Sequence, residues 1–157
     1  MYTKVDTDFH MRPGDRFFAH LQKGVPLRLE LGEKDIAAGT VRLVRRDTGE
    51  KIDVSNDAVI STVKKTLDDI QANLFTRAKN FREENTHDAS SYDELKEIVA
   101  SKGGFVRAYF GGTPEDETRI REETGATPRV ILPGNNTGKC IITGNDGARL
   151  TIFAKAY

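Results

Sequence analysis

The sequence predicts a mixed α/β and α+β protein in two parts joined by one long helix. Three observations carry this. Leu27-Arg28-Leu29-Glu30-Leu31 alternates strictly in polarity, the period of a half-buried strand. Ile60, Val63, Leu67, Ile70, Leu74 and Phe81 recur at three-, four- and seven-residue spacings with no Gly or Pro between them, which marks one face of a long helix packed on its own protein. Beyond residue 87, short strand-like runs alternate with capped helices.

Taken in order, Lys4 to Asp8 is expected as a short strand. Arg12-Pro13-Gly14-Asp15 turns into a helix that Gly24 closes. After the alternating strand, Thr40 to Arg46 forms a second, and Asp47-Thr48-Gly49-Glu50 turns it back into Ile52-Asp53-Val54. The long helix lies within Ser55 to Thr86. Ser91-Tyr92-Asp93-Glu94 is a capping box, and the helix it opens stops at Gly103-Gly104. Phe105 to Tyr109 is a strand. Thr113 caps a further helix, with Pro114 in its first turn followed by acids. Arg129–Leu132, Cys140–Ile142 and Leu150–Ala154 read as strands, with Asn145-Asp146-Gly147 as a hairpin turn. The domain reading is 1–55, then a linking helix 56–86, then a small α+β domain 87–157. Phe105 to Thr143 has the outline of a zinc-ribbon-like unit, yet a four-thiolate site needs two close ligand pairs and the chain has one cysteine.

Composition narrows the function classes. The 157 residues are 37% apolar and 31% charged, with a net charge of zero, so any contact with nucleic acid must use a local patch. No apolar run approaches the roughly 18 residues of a membrane span. The first residues lack an apolar signal segment, so the expected location is cytoplasmic.

Few residues group into catalytic patterns. His10, His20 and His87 lie in separate elements without ligand spacing. Gly134-Asn135-Asn136-Thr137-Gly138-Lys139 departs from a phosphate loop: three residues separate its glycines, and Cys140 follows the lysine. Cys140 has no sequence neighbour that would lower its pKa and reads as a structural thiol. The basic run Arg42, Arg45, Arg46 and Lys51, with Arg28 and Lys34 on the preceding strand and loop, is a candidate RNA-binding surface offset by Glu30, Asp35, Asp47 and Glu50.

Several segments also resemble a known family. Gly24-Val25-Pro26-Leu27-Arg28-Leu29-Glu30-Leu31-Gly32 resembles the signature of the anticodon-binding domain of class IIa aminoacyl-tRNA synthetases. Val44-Arg45-Arg46-Asp47-Thr48-Gly49-Glu50-Lys51, Asn73-Leu74-Phe75-Thr76-Arg77-Ala78-Lys79, Gly103-Gly104-Phe105-Val106-Arg107-Ala108, Glu123-Thr124-Gly125-Ala126-Thr127 and the closing Phe153-Ala154-Lys155-Ala156-Tyr157 are similar to successive landmarks of prolyl-tRNA synthetases in their eukaryote- and archaeon-like form. The resemblance runs in order over essentially the whole chain. It implies the later half of an α/β anticodon-binding domain, a long helix and the family's own C-terminal α+β domain.

The resemblance also implies site residues. Positions matching Arg28, Lys34 and Lys51 lie by the anticodon bases in relatives. An Arg can hydrogen-bond a guanine edge in two places, and a Lys can meet a phosphate or carbonyl oxygen. The helix before Gly24 departs from the family, with Asp15, His20 and Leu21 where a Trp, an aromatic and a glutamate are usual. Leu21 thereby removes an acceptor for a guanine amino group. Ligand cysteines of zinc-bearing relatives correspond to Gly111, Asp116, Cys140 and Thr143, of which only Cys140 remains. No zinc is expected, and the core is assigned to Phe105, Tyr109, Ile120, Val130, Ile142, Leu150 and Phe153. The terminal Tyr157 would reach toward a catalytic domain.

The function implied is a non-catalytic, tRNA-binding and supporting portion of an enzyme that ligates proline to tRNA(Pro) using ATP. ATP and Mg would act only through a catalytic domain that these residues do not supply, so the piece is expected to be inactive alone. Its partners would be tRNA(Pro) and that catalytic domain, in a homodimeric parent. A cut sheet would also leave an edge strand open to pairing. The alternative is a stand-alone RNA-binding, regulatory or scaffold protein derived from the same module.

Overall fold

The computed structural model describes residues 2–8 and 10–155. It divides into two units, residues 1–77 and 78–157, each with its own core.

The first unit does not begin with the expected strand. Over residues 4–8 the aspartates take the backbone donors that a ladder would use: Asp8 N–H donates to Asp6 Oδ1 at 3.0 Å, and His10 N–H to Asp8 Oδ1 at 3.0 Å. Helix α1 (Pro13–Gln22) follows. It ends in a left-handed Gly24 (φ 75°), where Gly24 N–H donates to Leu21 O and Val25 N–H to His20 O, a Schellman closure.

Strand β1 (Leu27–Glu30) leads into a short helix, α2 (Glu33–Ala38), where the sequence reading had a loop. Asp35 accepts the Gly32 N–H at 2.9 Å and caps it. Lys34 therefore sits on a helix. Strands β2 (Thr40–Arg45) and β3 (Lys51–Ser55) complete an antiparallel sheet in the order β1-β2-β3. Its register aligns Leu29, Leu43 and Ile52 on one face. The opposite face carries two rows, Arg28–Val44–Lys51 and Glu30–Arg42–Asp53.

A 3₁₀ turn (Asn56–Ala58) opens helix α3 (Val59–Glu84). Val63 and Ile70 bury against Leu27, Leu43 and Val54, with Leu67 and Leu74 half covered. The ends of the expected stripe are not covered: Ile60 is 67% and Phe81 69% exposed, while Thr66 is buried. Length explains this. A 26-residue helix runs about 39 Å, roughly twice what strands of four to six residues can span.

The second unit is built on a five-stranded sheet. Strand β4 (Thr86–Asp88) runs parallel to β5 (Phe105–Phe110), and between them comes α4 (Tyr92–Ser101). Ser91 accepts the Glu94 N–H at 3.2 Å as expected, but Glu94 returns its carboxylate to Ser90. Gly104 (φ 76°) must be glycine for a second reason: a Cβ there would run into the Asn85 carbonyl oxygen.

Helix α5 (Pro114–Thr124) is opened by a complete capping box between Thr113 and Asp116. Strand β6 (Ala126–Ile131) starts earlier than expected and tolerates Pro128 because it lies on the sheet edge, with a register shift between Pro128 and Val130. A short β7 (Thr137–Gly138) and the long β8 (Ala148–Lys155) finish the sheet. Strand β8 is the central one, pairing with β5, β6 and β7.

Cys140–Ile142 is not a strand. Cys140 N–H donates to Asn145 O and Gly144 N–H to Cys140 O, which makes the segment a turn, so residues 145–147 join it to β8 and do not form a hairpin between two strands. The core gathers Leu95, Ile98, Val106, Phe110, Ile120 and Phe153, with Phe110 and Phe153 edge to face at 5.5 Å. Two expected core residues face outward, Phe105 at 41% and Val130 at 48% exposure. In β5 it is Val106, Ala108 and Phe110 that point inward, and this phase turns Phe105 out.

Candidate nucleic-acid interface

In the first unit α1, β1 and the β2–β3 hairpin border an open cleft of about 410 Å³. Helix α1 supplies Phe17, Phe18, His20 and Leu21 as wall. Arg28, Val44, Arg45 and Arg46 line it from the strands and turn. Of the three sequence-predicted anticodon contacts, Arg28 lies in this cleft. Lys51 stands in the same cross-strand row, one strand beyond Val44, and is exposed. Lys34 is exposed on α2 and does not line the cleft.

The charge in this region differs from what counting residues suggested. Arg28 pairs with Glu30 at 2.7 Å and lies over the Phe17 ring at 4.2 Å. Arg42 grips Asp53 with two bonds of 2.7 and 2.8 Å across the strands. Arg45 points to the other face of the sheet and binds Asp47 at 2.8 and 3.1 Å. The Asp47 side chain is fully buried and also accepts the Asn73 amide at 2.7 Å; its backbone oxygen accepts Arg77 at 3.4 Å. The Arg45 and Asn73 hydrogen bonds hold the Asp47 carboxyl well below the usual carboxylate range, and burial offsets them only in part. Three of the basic side chains are thus neutralised where they stand. Arg46 is exposed, and among the described residues no carboxylate lies within ion-pair distance of it.

His20, one of the positions departing from the family pattern, is held by Asp6 at 2.7 Å, which Arg16 also binds at 3.2 Å. Leu21 is 47% exposed on the cleft wall, and Asp15 is exposed in the first turn of α1. The sequence reading missed Phe17, Phe18 and Val25 as cleft residues. The available signal was the pair of phenylalanines in a helix whose other residues are largely polar.

In the second unit Gly111 and Thr143 lie beside Cys140. Burial pushes the Cys140 thiol up, but hydrogen bonds from the Thr143 hydroxyl and from the N–H groups of Thr143, Gly111 and Ile142 outweigh it and hold the thiol below its ordinary value. This corrects the expectation from the neighbouring sequence, because three of the four donors are backbone groups. Asp116 is engaged as the cap of α5, where its Oδ2 accepts the Thr113 N–H at 2.9 Å. Among the described residues no group of three His, Cys, Asp or Glu side chains is placed to hold a metal ion. Tyr157 lies outside the described residues. Among those residues no helix is long and apolar enough to cross a membrane.

Comparisons with known proteins bear on both units. Residues 1–66 match the family model described as anticodon binding domain, and residues 92–157 match prolyl-tRNA synthetase, C-terminal. Over 154 residues the chain is 45% identical to the proline–tRNA ligase of Rubrobacter xylanophilus, covering 98% of this chain and 32% of that protein. It is 44% identical over 156 residues to the proline–tRNA ligase of Amoebophilus asiaticus, with the same coverage. The structure matches Giardia lamblia prolyl-tRNA synthetase, solved with prolyl-adenylate, at a TM-score of 0.85 and 28% identity, over 98% of this chain and 34% of that one. The chain thus spans about a third of the length of these relatives.

The anticodon-binding match together with the relatives that span the chain places it among the aminoacyl-tRNA synthetases. Its second unit narrows that class, and the chain belongs to the prolyl-tRNA synthetase family.

Proposed function

We propose that this chain recognises and supports tRNA(Pro) on behalf of a catalytic domain that attaches proline to it using ATP. The observation that carries this reading is the cleft between α1 and the β2–β3 hairpin, lying within the residues that match the anticodon-binding model. Arg28 is its base-reading side chain: held by Glu30 and Phe17, it keeps guanidinium N–H groups for a guanine edge. Lys51 and Lys34 serve the backbone and carbonyl oxygens of the loop.

Titration of the full chain with tRNA carrying a proline anticodon, against the same tRNA with that triplet mutated, tests the reading. At least a tenfold preference for the proline anticodon is expected. Equal binding would leave only a supporting or scaffolding role.

The zinc-ribbon-like second unit, on this reading, has given up its metal. Cys140, Asp116 and Thr143 do not make a tetrahedral set: one thiol remains, the carboxylate caps a helix, and Gly111 offers no side chain. Substoichiometric zinc is expected in the purified protein by atomic absorption. One zinc per chain would overturn this part.

A further inference from the structure

We propose that Phe18 and Arg46 form a nucleotide-holding subsite in the same cleft, which grips one residue of the single-stranded loop without reading its base. The proposal rests on the anticodon-binding reading above and adds two residues to it. Phe18 lines the cleft yet is 59% exposed, an apolar ring more than half open to solvent among the described residues. Exposed aromatics beside a basic groove are how single strands are held irrespective of sequence, because every base has a face to stack.

Arg46 supplies the second element. The chain places two arginines side by side and uses them oppositely: Arg45 is committed to the buried Asp47, while Arg46 lines the cleft, is exposed and has no carboxylate partner among the described residues. Its backbone is fixed from two sides. Arg46 N–H donates to Pro26 O at 3.0 Å, and the following turn is closed by Gly49 N–H to Arg45 O at 3.0 Å. An uncompensated cation on a fixed backbone is suited to a phosphate oxygen, because little ordering remains to be done on binding. Arg28, by contrast, is already paired and oriented. The cleft therefore divides its work between a specific contact and an unspecific one.

The test measures binding of the 157-residue chain to both tRNAs, proline anticodon and mutated triplet, across a salt series. Arg46→Gln is expected to weaken binding to both about equally and to reduce the slope of log affinity against log salt by about 0.7, the value for one phosphate on a single strand. Arg46→Lys keeps the slope. Phe18→Ala weakens both tRNAs by about tenfold or more and leaves the slope unchanged. Both side chains are exposed, so these variants retain the fold. Unchanged affinity in Arg46→Gln and Phe18→Ala overturns the subsite, as does a loss confined to one tRNA. If the unmodified chain binds both tRNAs equally while the variants lose affinity as described, the anticodon reading falls and the subsite stands. If the unmodified chain binds neither tRNA, both fall.

Discussion

Leu21 puts an alkyl group beside His20 on the α1 wall of a cleft whose other side offers Arg28 and Arg46. On the proposed anticodon reading, an acceptor at that position serves a guanine amino group, so Leu21→Glu is expected to raise the preference for the proline anticodon about tenfold or more in the same titration. A second prediction at this scale concerns backbone shape. Gly104→Ala combines a positive φ with a clash against the Asn85 carbonyl, and should lower stability by at least about 2 kcal/mol in urea denaturation. Of the residues the sequence singles out, Arg28 and Leu21 line the cleft, while Lys34 and Lys51 do not. The electrostatic state of the basic residues was not legible in the sequence. Glu30 is two residues from Arg28, but Asp53 meets Arg42 only through the strand register, and a count of charges cannot say which cations are already paired.

At the scale of elements, Asp47 fastens the β2–β3 turn to α3 through Asn73 and Arg77, and is itself held by Arg45 of β2. Asp47→Asn should cost about 2 kcal/mol by weakening a buried charge-assisted pair. The sign of the pH effect follows from its lowered carboxyl. The stabilisation is complete above the unfolded carboxylate value of about 4 and is lost as pH falls below it. Urea midpoints between pH 7 and pH 3 should therefore drop less steeply in Asp47→Asn than in the unmodified protein. Thr113→Ala removes the cap of α5 and should cost about 1 kcal/mol. Capped helices and alternating strands were legible because their signals are local. Helix α2 and strand β4 were not, since elements of six and three residues are held mainly by their surroundings. Cys140–Ile142 misled for a related reason: its composition suits a strand, but Asn145 takes the Cys140 donor into a turn.

For the whole molecule, the two cores share no residue. Phe153→Ala should cost about 3–5 kcal/mol and, by hydrogen exchange, release the amides of β5 and β8 while those of β2 keep their protection. Uniform loss of protection across both units would show one cooperative block. Hydrophobic period marked α3 as a long helix packed on its own protein, and the boundary between the two units falls between Arg77 and Ala78, inside that helix. The order of synthesis gives the second unit a further property. Strand β8, which lies between β5 and β6, is made after both. At roughly 5–20 residues per second, a ribosome needs about 2–9 s to travel from the end of β5 to the end of β8. Through that interval the apolar faces of Val106 and Phe110, joined partway by Ile120, wait for the Phe153 that packs among them, so each newly made copy passes through an interval in which it is prone to aggregate.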